Sequence, residues 1–81
     1  MPNTTETTEL TTQLIADLVL AVAQRKLIDV THKGLKFCIW YDQAIPVITV
    51  FHPEHGVFFE ELASDKPEIM GQMLAPWFNG A

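Results

Sequence analysis

The hydrophobic pattern of this sequence predicts an α+β fold in the order α-β-β-β-α. A three-stranded antiparallel sheet is expected to pack against a long N-terminal helix and a short C-terminal helix. Three observations carry that expectation. Leu10, Leu14, Leu18, Ala21 and Val22 recur at helical spacing near the start. Between Leu35 and Glu61 lie three runs rich in aromatic and β-branched residues, separated by short polar stretches. Asp65-Lys66-Pro67-Glu68 then reads as a helix start, with a carboxylate three residues ahead of a glutamate and proline in the first turn.

Residues 1–7 are polar and Thr-rich and predict a flexible tail, which leaves 8–81 as a single domain. The first helix is expected over about 8–26. Thr7 or Thr8 serves as its cap, Glu9 lies in its first turn, and Arg25 and Lys26 lie in its last, where cations suit the helix dipole. In its second half Val19, Leu20 and Ala23 widen the apolar stripe beyond one face. Such a helix is enclosed on several sides or touches a second chain, so a homodimer with Val19, Leu20 and Ala23 in contact is expected.

Leu27–Val30 leads into a polar connector, Thr31-His32-Lys33-Gly34. Strands follow at Leu35–Tyr41, Pro46–Phe51 and about Val57–Glu61, joined by short loops that make a meander the economical arrangement. In the last helix Ile69, Met70, Met73 and Leu74 form a narrow stripe, and Pro76 ends it at Ala75. Gly71 within it costs about 1 kcal/mol relative to alanine, and permits close approach to the sheet.

If Asp42–Ile45 and His52–His55 are four-residue loops, Tyr41 lies opposite Pro46, Ile39 opposite Ile48, Phe37 opposite Val50, and Thr49 opposite Phe58. One face then holds Leu35, Phe37, Ile39, Tyr41, Ile48, Val50, Val57 and Phe59, and is the expected core. The other mixes Trp40, Phe51 and Phe58 with Val47, Cys38, Thr49, Lys36 and Glu60. Aromatics with charges at the edge resemble the centre of an interface more than a wet sheet face. Trp40, Val47, Phe51 and Phe58 are therefore the expected partner contacts, with the Trp77-Phe78 end beside them.

Composition narrows the function classes. A chain of 81 residues holds one domain, and its core leaves a net stability on the order of 3–5 kcal/mol. The single cysteine, Cys38, allows no internal disulfide and suits a reducing compartment. The N-terminal stretch has no basic or apolar signal-like region, and the longest apolar run, Leu18–Ala23, is far too short to cross a membrane. A cytoplasmic location is expected. Ten acids against five bases give a net charge of −5, which repels a phosphate backbone. Arg25, Lys26, Lys33 and Lys36 gather near the end of the first helix without forming a basic stripe, so direct nucleic-acid binding is not expected.

Sets of residues able to carry chemistry are sparse. His52-Pro53-Glu54-His55 places two imidazoles three residues apart, with Glu54, Cys38 or His32 as possible further ligands. A structural zinc site needs four ligands of defined geometry, and a proline-containing hairpin loop with exposed histidines is the simpler reading. Cys38 in mid-strand is packing material rather than a nucleophile. Adjacent Glu60 and Glu61 point to opposite faces and cannot converge on a substrate. Gly34, Gly56, Gly71 and Gly80 are isolated, so no phosphate-binding loop exists.

No catalytic residue, cofactor or metal is therefore expected. The sequence predicts a small acidic protein-binding module that acts as an inhibitor, adaptor or regulatory subunit. Two alternatives share its features: an inhibitor of the kind viruses or mobile elements use against host nucleic-acid machinery and defence, and a metal-binding domain built on His52 and His55.

Overall fold

The computed structural model describes residues 4–78. Helix α1 (Thr4–Gln24) leads into a four-stranded sheet made of β1 (Ile28–His32), β2 (Leu35–Asp42), β3 (Ile45–His52) and β4 (Gly56–Leu62). Helix α2 (Pro67–Leu74) and a 3-10 turn (Ala75–Trp77) close the chain. The fold is α+β as expected, but the sheet has four strands in the order β1-β2-β3-β4, all antiparallel, instead of three.

The extra strand is β1, which the sequence reading takes for a connector. Its alternation puts Ile28 and Val30 on the core side and Asp29 on the other, opposite Ile39, Phe37 and Cys38 of β2. Both helices lie on one face. Leu14, Leu18, Ala21 and Val22 of α1 and Met70 and Leu74 of α2 form one buried cluster with Leu35, Phe37, Ile39, Ile48 and Val50. Ile69, expected in the α2 stripe, is exposed. The sheet is thus the second layer of a two-layer domain, with its other face outward.

The ends of α1 differ from expectation. The helix begins at Thr4, so only residues 1–3 of the expected tail fall outside the described residues. It ends at Gln24, two residues before Lys26. The Lys26 N–H reaches the Ala21 carbonyl at 2.8 Å and the Arg25 N–H reaches that of Val22 at 3.2 Å. These are the paired bonds of a Schellman ending, with Arg25 at φ 55 in the position glycine usually takes. The Arg25 side chain offsets that backbone cost: its guanidinium donates to the Ala44 carbonyl at 2.6 Å and lies over the Tyr41 ring at 5.4 Å. The Tyr41 hydroxyl sits 3.1 Å from the Ala21 carbonyl and 3.2 Å from that of Lys26, which ties the helix end to β2.

Helix α2 starts differently too. Lys66, not Asp65, holds the cap position and makes no side-chain cap bond. The Ser64 hydroxyl takes the Lys66 N–H instead, at 3.1 Å. Gly71 serves close approach to α1 rather than to the sheet, since a Cβ there would stand 3.4 Å from Cδ1 of Ile15.

Candidate interaction face

The β2–β3 pairing agrees with the expected register, with Tyr41 opposite Pro46, Ile39 opposite Ile48 and Phe37 opposite Val50. The turn itself is tighter. Asp42 also pairs with Ile45, so only Gln43 and Ala44 turn the chain, at φ 52 and 71. Two positive φ values mark a type I′ turn, whose twist matches that of the strands.

The β3–β4 register is where the sequence reading fails. The loop has three residues rather than four, since His52 pairs with Gly56 and Phe51 with Val57. A bulge between Val50 and Phe51 then leaves Phe58 without a partner, so that Thr49 faces Glu60. Phe58 then joins Phe59 on the helix side, where it stacks on Trp77 at 5.7 Å while Phe59 meets the same ring at 6.0 Å. Phe58 is thus not on the Trp40 face. Val57, expected in the core, is on that outer face and 63% exposed. The physical cause is local: the extra residue of a bulge goes unpaired and re-aims its side chain, and here the Trp77 ring receives it.

The outer face that results has three cross-strand rows. Trp40, Val47 and Leu62 form the first, Asp29, Cys38, Thr49 and Glu60 the second, and Thr31, Lys36, Phe51 and Val57 the third. No helix among the described residues lies on it. Thr49 is nonetheless only 7% exposed and Val47 is buried, while Trp40 is 36% exposed. The indole lies across its neighbours and fills the place of a missing layer. Its Nε1–H donates to the Thr49 hydroxyl at 2.8 Å, and that hydroxyl donates to the Glu60 carboxylate at 3.1 Å. Every donor in this relay has a partner within the chain. Beside it the Lys36 ammonium sits 5.2 Å from the centre of the Phe51 ring. An open notch of about 310 Å³ flanks Trp40, lined by Leu27, Ile28, Asp29, Cys38 and Ile39.

Cys38 is held as a thiol. Burial, a hydrogen bond to Asp29 and the negative charge of Asp29 push its pKa up to about 12. A thiol so placed is a poor nucleophile near neutral pH, since only the thiolate reacts well.

Trp40, Val47 and Phe51 thus share the outer face, Trp40 and Val47 in its first row and Phe51 in its third, with Val47 buried. Leu62, Val57, Asp29 and Thr31 belong to the same face but are missing from the sequence reading. The alternation Ile28-Asp29-Val30-Thr31 is a legible signal for the last two, whereas the three-residue turn and the bulge after it, which together place Val57, have none. Trp77 and Phe78 are half-buried against the core and offer a partner only their outer edges. Of the residues expected in a dimer, Val19 packs partly against its own core, while Leu20 and Ala23 are exposed.

The other constellation lies at the β3–β4 turn. Ligand atoms of His52, Glu54 and His55 all fall within 4.8 Å of one another. The imidazoles of His52 and His55 are tilted together at 4.5 Å, and the Glu54 N–H donates to Nδ1 of His52 at 3.1 Å. No described helix is long and apolar enough to cross a membrane. No family model, curated protein or solved structure matches this chain.

Proposed function

We propose that this protein is a binding module that grips another protein through its uncovered sheet face, with Trp40 as the anchor. One observation carries the reading: the face without a helix presents a large, already ordered indole whose polar atom is satisfied within the chain. Covering that ring removes apolar surface from water and strands no donor, which avoids the cost of an unmet buried hydrogen bond. The indole is also held by its bond to Thr49, so little side-chain freedom remains to be lost on binding.

The complementary partner surface has an apolar centre and a basic rim. Asp29 and Glu60 stand at opposite ends of the middle row, on the two edge strands, and the chain as a whole carries −5. Opposite charge at such a rim speeds encounter and fixes orientation. The notch beside Trp40 is open and at the low end of ligand-pocket volumes, with room for a partner side chain.

Leu62→Lys tests this directly. Leu62 is 63% exposed, so the change leaves the fold within about 0.5 kcal/mol, yet it sets a charge in the same cross-strand row as Trp40, one strand beyond Val47. Wild type immobilised against extract from its own cells should retain one stoichiometric protein, with hydrogen-exchange protection of β2 to β4 on binding. Leu62→Lys should weaken that complex by tenfold or more. Equal retention by the variant would overturn the reading. A wild-type dimer that Leu62→Lys splits into monomers would make the partner a second copy of the chain.

A further inference from the structure

The tip of the β3–β4 hairpin lies at the other end of β3 from Val47, the cross-strand partner of Trp40, and His52, Glu54 and His55 are not among the residues of the proposed interface. We propose that His52, Glu54 and His55 form a site for one divalent transition ion of the zinc, nickel and copper group. Three donors, two imidazole nitrogens and one carboxylate oxygen, would hold the ion, with water in its remaining positions.

The geometry is close to what such an ion needs. Zinc with nitrogen ligands at about 2.0–2.1 Å places two tetrahedral donors about 3.3 Å apart. The three ligand atoms already stand within 4.8 Å of one another. Glu54 and His55 are exposed, so side-chain rotation alone can close the remaining gap. A sequence spacing of three would not achieve this in an extended strand. Here the His55 N–H reaches the His52 carbonyl at 3.2 Å and Gly56 leaves the turn at φ 87, which folds both histidines back over the same end.

The rings are also restrained before any ion arrives. Phe58 lies 6.0 Å from His52 and 6.5 Å from His55, nearly parallel to the latter, and Phe58 is itself stacked on Trp77. The bulge that takes Phe58 off the outer face therefore builds an aromatic wall behind the two imidazoles. Ordered ligands lose less freedom on binding than free ones.

One internal contact must yield. Nδ1 of His52 accepts the Glu54 N–H, which leaves the proton of the neutral ring on Nε2. Binding through Nδ1 displaces that bond, and binding through Nε2 requires the proton to move to Nδ1. Either route costs one hydrogen bond at a solvent-exposed loop, where water replaces it. The donor set favours borderline ions over magnesium or calcium, which prefer all-oxygen sites, and copper over nickel or zinc.

The test uses the untagged chain with zinc and nickel as probes. Calorimetry should show one saturable zinc site per chain, with no magnesium or calcium binding. Paramagnetic nickel should broaden the amide signals of residues 52–58 and the Trp77 indole first, and leave Trp40 and Cys38 sharp. His55→Ala removes an exposed side chain, so it stays folded, and it should weaken zinc binding at least tenfold. His52→Ala should do the same, and Glu54→Gln should weaken it by less. Saturable binding that survives His55→Ala, broadening centred elsewhere, or no binding below millimolar zinc would each overturn the proposal. The last result would leave the His52–Glu54 contact as a turn-stabilising bond alone.

Discussion

Two turns of the same sheet make a matched experiment. Lys33-Gly34 joins β1 to β2 at φ 52 and 83, and Gln43-Ala44 joins β2 to β3 at φ 52 and 71. Both are two-residue turns with positive φ throughout, yet only the first has glycine at its second position. An L-residue in the left-handed region costs about 1–2 kcal/mol. Glycine escapes that cost but gives back about 0.5–1 kcal/mol through its larger unfolded ensemble. Ala44→Gly should therefore stabilise the domain by about 0.5–1 kcal/mol, and Gly34→Ala should destabilise it by the same amount. A Cβ at Gly34 would meet nothing within 4 Å, so its effect is backbone conformation alone. The Arg25 bond to the Ala44 carbonyl survives in Ala44→Gly, because it uses the main chain. For a domain of this size 1 kcal/mol moves Tm by about 4–8 °C, so thermal unfolding followed by circular dichroism resolves both signs. A lower Tm for Ala44→Gly, or an unchanged one for Gly34→Ala, would refute the assignment of positive φ to these turns.

Further outcomes follow from single side chains. Tyr41→Phe removes the hydroxyl shared by Ala21 and Lys26 and should cost about 1 kcal/mol in urea unfolding. The Cys38 thiol predicts loss of stability at alkaline pH. Its folded pKa, about 12, lies above the ordinary 9.0, so the unfolded chain gives up its proton first. The stabilisation is complete below pH 9 and is lost as pH rises from there toward 12. Cys38→Ser should flatten that alkaline limb, and an unchanged profile would remove the shift. His32 predicts the mirror case: burial, then the charge of Lys33, lowers its pKa below 6.5 against an opposing hydrogen bond at Phe78. Stability should fall as pH drops below 6.5, and His32→Asn should lessen that fall.

What was legible in the sequence divides by the range of the forces involved. The β2–β3 pairing is readable because alternating apolar residues on both strands must share a core face, and any slip of one residue would invert them. The helices are readable for the same reason, from Leu14, Leu18, Met70 and Leu74. Strand β1 is hard to see because it is five residues long and carries Asp29, Thr31 and His32. It exists as a strand through its partner: Ile28 and Val30 reach the core only when β2 lies beside them. The Asp65 cap fails because the helix starts one residue later, with Lys66 at the cap position and Pro67 first in the helix. The β3–β4 bulge is the least legible feature. Nothing in Gly56-Val57-Phe58-Phe59 says that both phenylalanines face the same way until Trp77 is placed against them.

That bulge divides the two proposed sites. If the Thr49–Glu60 and Val50–Phe59 ladder ran on without a bulge, Phe58 would lie opposite Phe51 and crowd the outer face, and the histidine turn would have no ring behind it. With the bulge, the outer face keeps one dominant aromatic, Trp40, and Phe58 is free to back His52 and His55. The two surfaces therefore share an element but not a side chain. Trp40 also shields Thr49 and Val47, so folding and partner binding draw on the same ring. A partner that covers the sheet face raises stability in proportion to the logarithm of its concentration over Kd. An ion at the hairpin tip acts through a turn at the other end of β3 from the Trp40 row, so its effect on that complex should be small. Partner affinity that changed strongly with zinc would mean that the bulge transmits between the faces rather than separating them.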